Sequence, residues 1–187
     1  MRIITGNFKG KKILDPKDKV TRPLKDLTKE SIFNIILHSK KFKFLLKNSN
    51  VLDLFSGTGS FGLECLSRGS KKVFFVENYE DVLSILKKNI SNMNYENSVS
   101  IIEKEISNQL DFGAFKIKFD IIFLDPPYKK KEISQLLLKI KESNILNDNG
   151  IIIIHRQKKE NDNLPINFKV LEEKTYGNSK IIFGIYV

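Results

Sequence analysis

The sequence predicts an α/β fold: a seven-stranded, mostly parallel sheet with helices on both faces, an antiparallel C-terminal strand, and an N-terminal β-hairpin/helix extension. Three observations predict it. From Asn50 onward, short and continuously apolar runs alternate with segments of helical period, the rhythm of parallel strands joined by crossover helices. The last two strand-like runs, "FKVLEEKTY" and "KIIFGIYV", meet at "YGNSK" with no helix between them, so one of them runs antiparallel. Ahead of all this, residues 1–45 follow a different pattern and carry most of the excess charge.

In chain order, "MRIITGNFKGKKIL" reads as two short strands around "GNFKG", a hairpin too small to stand alone. "TRPLKD" breaks the pattern at Pro23. A helix follows in "KDLTKESIFNIILHS", where Leu27, Phe33, Ile36 and Leu37 lie near helical spacing. "NVLDLF" is the first strand of the main sheet, and "SGTGSFGLECLSRG" turns from a glycine-rich loop into a helix that closes at Gly69. "KKVFFVE" is the next strand, "DVLSILKKNISNM" an amphipathic helix, "SVSIIEKE" a third strand and "KFDIIFLD" a fourth. The helical "EISQLLLKIKES" and a fifth strand, "GIIIIHR", precede the closing pair. The 187 residues suit one domain with a small appendage, residues 1–45 forming a basic extension and 46–187 the main domain.

The net charge of +10 is unevenly placed. Residues 1–50 hold 13 Lys+Arg against 4 Asp+Glu, whereas residues 51–187 hold 19 against 18. A basic region concentrated in this way suits a polyanion such as nucleic acid; a lysine-rich solvated surface is the plainer reading. A single cysteine, Cys65, rules out an internal disulfide framework and a cysteine cluster for zinc, and it fits a reducing cytoplasm. The N-terminus lacks the apolar core of a signal peptide, and no apolar run approaches the ~18 residues that span a bilayer. His38 and His155 form no ligand spacing; His38 sits at a helix end, and His155, ending the fifth strand, reads as structural. No metal is expected.

Gly57, Gly59 and Gly62 form G-x-G-x-x-G between a strand and a helix, where backbone can approach a ligand closely. Glu77 ends the next strand, twenty positions after Gly57, where an acid accepts ribose hydroxyls. Together these point to a nucleoside cofactor. Asp53 chooses among nucleosides: a carboxylate four residues before Gly57 faces a cation more comfortably than a diphosphate. S-adenosylmethionine carries an ammonium and a sulfonium and no phosphate. A cap on the following turn is the structural alternative for Asp53, and both roles can coexist.

The fourth strand ends in "LDPPYKKK", at the carboxyl edge where open parallel sheets bind ligands. Pro126 and Pro127 stiffen the loop and remove donors while keeping carbonyl acceptors. Asp125 adds a carboxylate and Tyr128 a flat apolar face. Acceptors beside a stacking surface suit a planar base with an exocyclic amine. Asp125 and the Pro126 carbonyl can accept the amine hydrogens and stabilise the positive charge that methylation develops on nitrogen. Lys129, Lys130 and Lys131 either meet phosphates or belong to a solvated loop.

These stretches, with "TRPLKD", "FVE" and "YGNSKIIF" in the same order, resemble the bacterial guanine-N2 methyltransferases that modify 16S rRNA of the small ribosomal subunit. The resemblance spans nearly the whole chain. It implies a Rossmann-like class I methyltransferase fold, S-adenosylmethionine as methyl donor, and a guanine amine of 16S rRNA, free or in the assembling small subunit, as target. By position it implies Asp53, Gly57, Gly59 and Glu77 at the cofactor, with Phe55 and Asn78 beside them and Glu105 and Ile106 near the adenine. It assigns Asp125, Pro126 and Tyr128 to catalysis and Lys9, Lys11, Lys12, Arg22, Lys129 and Lys130 to RNA, in a cytoplasmic monomer. The chain departs from the family pattern at Leu24, at Leu27 where an arginine is usual, and at Glu105 where an aspartate is usual. A DNA adenine-N6 methyltransferase and a non-catalytic RNA-binding module are the competing readings. A nicotinamide dehydrogenase is disfavoured by Asp53.

Overall fold

Apolar side chains pointing alternately to both faces make a strand that must be covered twice, and five such runs form the parallel part of the sheet. These are β1 (Asn50–Leu54), β2 (Lys72–Val76), β3 (Val99–Ile102), β4 (Phe119–Leu124) and β5 (Leu146–Gln157). Strands β6 (Phe168–Tyr176) and β7 (Ser179–Tyr186) complete a seven-stranded sheet of order β3-β2-β1-β4-β5-β7-β6. β7 is antiparallel to both of its neighbours, as the tight join at "YGNSK" predicts. The computed structural model describes residues 1–16, 24–43, 46–106, 109–127 and 133–187.

The two faces are distinct. Val51, Ile121, Phe123, Ile151, Ile153, Ile181 and Phe183 face one core. That core is covered by α1 (Asp26–His38), α2 (Ser60–Ser67), α3 (Glu80–Ser91) and the N-terminal segment. Leu52, Leu54, Ile122, Leu124, Ile152 and Ile154 face the other, covered by α4 (Ile133–Glu142). The chain leaves β1 toward β2 and β3 but leaves β4 toward β5, so strand order reverses between β1 and β4. At such a reversal the outgoing loops diverge and open a crevice at the carboxyl ends of the strands.

The helix α1 differs from its sequence reading in one respect. Its inward side carries Thr28, Lys29, Ile32, Phe33 and Ile36, while Leu27 and Leu37 are exposed. A buried lysine displaces the expected leucines because of what it meets. Lys29 Nζ donates to the Arg2 carbonyl (2.7 Å) and to Ser60 Oγ (3.1 Å), and lies 3.7 Å from Glu64 Oε2.

Glu64 is the fully buried hub of this contact. Its two oxygens accept the backbone N–H groups of Ile4 (2.7 Å) and Thr5 (2.9 Å) and the Arg68 Nε (2.7 Å). The N-terminal segment is a minimal hairpin, with a single isolated bridge between Arg2 and Lys12 in place of two strands. Its arms are joined by backbone bonds from Ile3 N to Lys11 O (2.9 Å), Gly10 N to Ile3 O (2.8 Å) and Ile13 N to Met1 O (3.0 Å), and α2 holds it from outside. Asn7 N donates to the Ser67 carbonyl (2.8 Å), and Ser67 Oγ bonds both Thr5 O and Phe8 N. Ile3 and Ile13 are fully buried in the shared core. Gly6, at φ +93°, comes so close to α2 that a Cβ would stand 1.9 Å from the Ser67 carbonyl oxygen.

Removing the Glu64 carboxylate strands a buried cation and two backbone donors. Glu64→Ala is expected to cost about 3–5 kcal/mol, read as a lowered urea midpoint. The well-capped alternative, Glu64→Gln, should recover part of the loss because its amide oxygen still accepts a backbone N–H.

Candidate active site

The loop between β1 and α2 has little freedom. Phe55 (φ 60°), Gly57 (φ 54°) and Gly59 (φ 84°) all take left-handed backbone conformations. A phenylalanine there is held only because its surroundings over-determine it, a state that clusters at ligand sites. Phe55 packs against the α4-side core. Gly59 N donates to Ser56 O (2.8 Å), closing the turn that starts α2.

Asp53, next to last in β1, is 1% exposed, and its Oδ2 accepts the Gly62 N–H at 3.0 Å. That donor belongs to the first turn of α2 and has no partner within the helix. The capping role is therefore present. The other oxygen, Oδ1, is buried and accepts no hydrogen bond among the described residues. Burial pushes the Asp53 carboxyl well above the usual range. The Gly62 N–H opposes this, and the nearby carboxylates of Asp125 and Glu77 add to it. A cation beside this oxygen would offset the cost of burial and the two further acids.

Glu77 follows β2 and does more than wait for a hydroxyl. Its Oε2 accepts Gly57 N (2.9 Å), and its Oε1 accepts Asn78 N (2.9 Å) and Tyr79 N (3.0 Å). The carboxylate thus braces the glycine loop and the start of α3 together. About four acceptor positions exist on a carboxylate, which leaves one free for a ligand hydroxyl. Glu77 N also donates to Ile102 O (3.2 Å), joining the ends of β2 and β3. Three residues beyond β3, Glu105 is half-buried, and Ile106 is buried in the same core as Val76.

Asp125 stands directly after β4, its N–H donating to Leu54 O of β1 (3.3 Å). The switch in strand order thereby brings Asp53 and Asp125 onto adjacent strand ends. Asp125 is 21% exposed, Pro126 is buried and Pro127 is exposed. Tyr128, Lys129, Lys130 and Lys131 lie outside the described residues, as do Arg22 and Pro23.

The basic residues of the hairpin are not gathered at this crevice. α2 starts at the crevice and runs away from it, and the hairpin tip docks at the far end, on Ser67. Lys9 and Lys11 therefore sit about one helix length away, ~12 Å for a helix of this size. Lys11 bonds the Asn92 carbonyl and covers the Phe8 ring. Lys9 and Lys12 are exposed.

His155 is buried between two neighbouring strands. Read as a structural strand end, it bonds Asp125 through Nδ1–Oδ1 (2.8 Å) and Ser179 through Nε2–Oγ (3.0 Å). Two-residue alternation places it on the same face of β5 as Ile153, and that face is shared by Asp125 on β4 and Asp53 on β1. Burial lowers the His155 pKa, but the charge of Asp125 and the hydrogen bond to it outweigh burial and the repulsion of Arg156. The net shift is upward. One signal was available: β4 and β5 are both apolar runs that end in a titratable side chain.

Known proteins resemble this chain over nearly its whole length. The family described as "Conserved hypothetical protein 95" matches residues 1–185. The ribosomal RNA small subunit methyltransferase D of Haemophilus influenzae is 33% identical over 180 residues, which is 95% of this chain and 89% of that protein. The chain belongs to the small-subunit rRNA methyltransferase D family. The Escherichia coli member of that family is 27% identical across 100% of this chain and 89% of its own length. A putative methyltransferase of known structure from Escherichia coli matches with a TM-score of 0.80 and 25% identity, covering 98% of this chain and 96% of that one. The fold is accordingly that of the class I methyltransferases.

The raised pKa of Asp53 has a consequence for stability. Its folded-state stabilisation is complete below the ordinary carboxyl pKa and is lost as pH rises through the raised value. Asp53→Asn, which keeps an acceptor for Gly62, should therefore gain stability relative to wild type as pH increases. Thermal melts of both ligand-free proteins from acid to neutral pH will check this; a constant difference in melting temperature would contradict it.

Proposed function

We propose that the protein transfers a methyl group from S-adenosylmethionine to the exocyclic N2 amine of a guanine in 16S rRNA of the small ribosomal subunit, acting as a cytoplasmic monomer. The observation that carries this reading is the meeting of two acids across the strand reversal: Asp53, with one buried oxygen lacking a donor, and Asp125, partly open to the crevice. Membership of the methyltransferase D family supports it.

The residues present fit the methyl donor. Three carboxylates, Asp53, Glu77 and Asp125, line the strand ends and act on one another. A pyrophosphate would meet that charge unfavourably, whereas an ammonium and a sulfonium are attracted by it. Asp53 Oδ1 would take the cationic part, Glu77 a ribose hydroxyl, and the left-handed Gly57 and Gly59 allow close backbone approach. Glu105 and Ile106, beyond the neighbouring strand, would flank the adenine. When bound, S-adenosylmethionine supplies an electrophilic methyl group on sulfur.

The remaining work falls to the loop after β4. Asp125 and the Pro126 carbonyl accept the two hydrogens of the guanine amine. This holds the nitrogen lone pair toward the methyl group and stabilises the positive charge that grows on nitrogen. After transfer one N–H bond breaks, and its proton goes to Asp125 or to water. Tyr128 stacks on the base and fixes its plane. Residues 46–187 form the catalytic domain and residues 1–45 an extension that engages RNA. The distance of Lys9 and Lys11 from the crevice suits a substrate far larger than one nucleotide.

Wild-type protein incubated with S-adenosylmethionine and 16S rRNA or small subunits should yield N2-methylguanosine by nucleoside mass analysis. Asp125→Ala should lower turnover by at least about 100-fold, with cofactor affinity by calorimetry largely retained. Product formed on DNA alone would overturn the rRNA assignment, and failure to bind the cofactor would overturn the enzymatic one. Neutralising Lys9, Lys11 and Lys12 together should weaken RNA binding and flatten its salt dependence by about two in log–log slope. Unchanged binding would make the basic flank a solvated surface only.

A further inference from the structure

We infer that His155 is the positioning residue of the Asp125 carboxylate, and that Ser179 sets the tautomer in which it does so. The inference rests on the reading of Asp125 as the acceptor for the substrate amine. Its basis is a polar row across four neighbouring strand ends on one face of the sheet: Asp53 on β1, Asp125 after β4, His155 on β5 and Ser179 on β7.

Asp125 left to itself would be poorly oriented, because the terminal torsion of an aspartate is broad and nearly two-fold. His155 removes that freedom. It is 6% exposed, and both ring nitrogens are engaged, Nδ1 with Asp125 Oδ1 at 2.8 Å and Nε2 with Ser179 Oγ at 3.0 Å. The ring cannot turn without breaking a hydrogen bond in a place where water does not replace it. In the neutral ring the Ser179 hydroxyl donates to Nε2, the proton resides on Nδ1, and Nδ1–H donates to Asp125 Oδ1. With Oδ1 fixed, Oδ2 is fixed in direction as well and is left for the amine.

The same contact gives the site a pH dependence. Neutral His155 leaves the negative charge of Asp125 available to the amine. The imidazolium form pairs with Asp125 and draws that charge away, so the rate rises as pH climbs through the His155 pKa. Among the described residues, the charged groups acting on His155 are Asp125, which favours the imidazolium, and Arg156 on its own strand, which opposes it. Arg156 is itself held by Asp162 through two 2.8 Å bonds, with Glu160 4.0 Å away. Lys180, next to Ser179, is turned to the Glu160 carbonyl. His155 takes no proton from the substrate in this scheme. It acts through Asp125.

Two measurements test it. The first is an NMR titration of the His155 ring in wild type and in Asp125→Asn, which needs no turnover. The His155 pKa should be raised in wild type and should fall below the ordinary imidazole value once the carboxylate is gone, because burial and Arg156 then act alone. A titration indifferent to Asp125→Asn overturns the inference. The second compares pH–rate profiles. His155→Phe should lower kcat by about 100-fold with KM for S-adenosylmethionine within about twofold of wild type. His155→Asn, whose amide can donate in place of Nδ1, should recover most of kcat and lose the acid limb. A kcat for His155→Phe near that of wild type, or an acid limb that survives in His155→Asn, overturns the inference. Wild-type protein inactive on every RNA would instead count against the proposed function, and the titration would still decide whether His155 is coupled to Asp125.

Discussion

The reversal of strand order between β1 and β4 is the constraint on which the site depends. Right-handed crossovers that start in opposite directions must lay their helices on opposite faces, so α2 and α3 cover one face and α4 the other. No helix then covers the carboxyl ends of β1 and β4. Both strands lie inside the sheet, each paired on both sides. Asp53 and Asp125 owe their proximity to this topology. They are 72 positions apart in the chain and next to each other in space because two strands pair in register.

A carboxylate can be buried for two different reasons, and the chain does both within twelve residues. Glu64 is buried and satisfied: two backbone amides and two cations surround it, and it serves to weld the N-terminal segment to α2. Asp53 is buried and only half satisfied, which raises its pKa and leaves an oxygen for something positive. The first arrangement stabilises the fold. The second stores unfavourable electrostatic energy at the place where a cationic ligand can relieve it. Burial alone does not separate structural from functional acids; the inventory of donors around each one does.

The parallel core was legible because its physics is periodic. Runs such as "DIIFL" and "GIIII" need cover on both faces, and glycine-rich turns mark where strands hand over to helices. Asp53, Glu77 and Asp125 were legible for the same reason, since each ends a recognisable strand. What escaped was pairing across the sheet. Sheet order is a tertiary property, so nothing local told that β5 lies beside β4 or that β7 inserts between β5 and β6, and His155 therefore read as a structural residue. Lys29 escaped as well. A lysine in an amphipathic helix reads as solvent-facing, whereas here the Arg2 carbonyl, Ser60 and the buried Glu64 hold it inward.

The insertion of β7 between β5 and β6 makes two features depend on one strand. β6 precedes β7 in the chain yet, among the described residues, pairs in the sheet with β7 alone. Its place in the sheet therefore depends on β7, which pairs with β5 on its other side. Ser179, which bonds His155, lies on that same strand. Strands β1 and β4 alone bring Asp53 and Asp125 together, whereas the bond to His155 from Ser179 needs β7 as well.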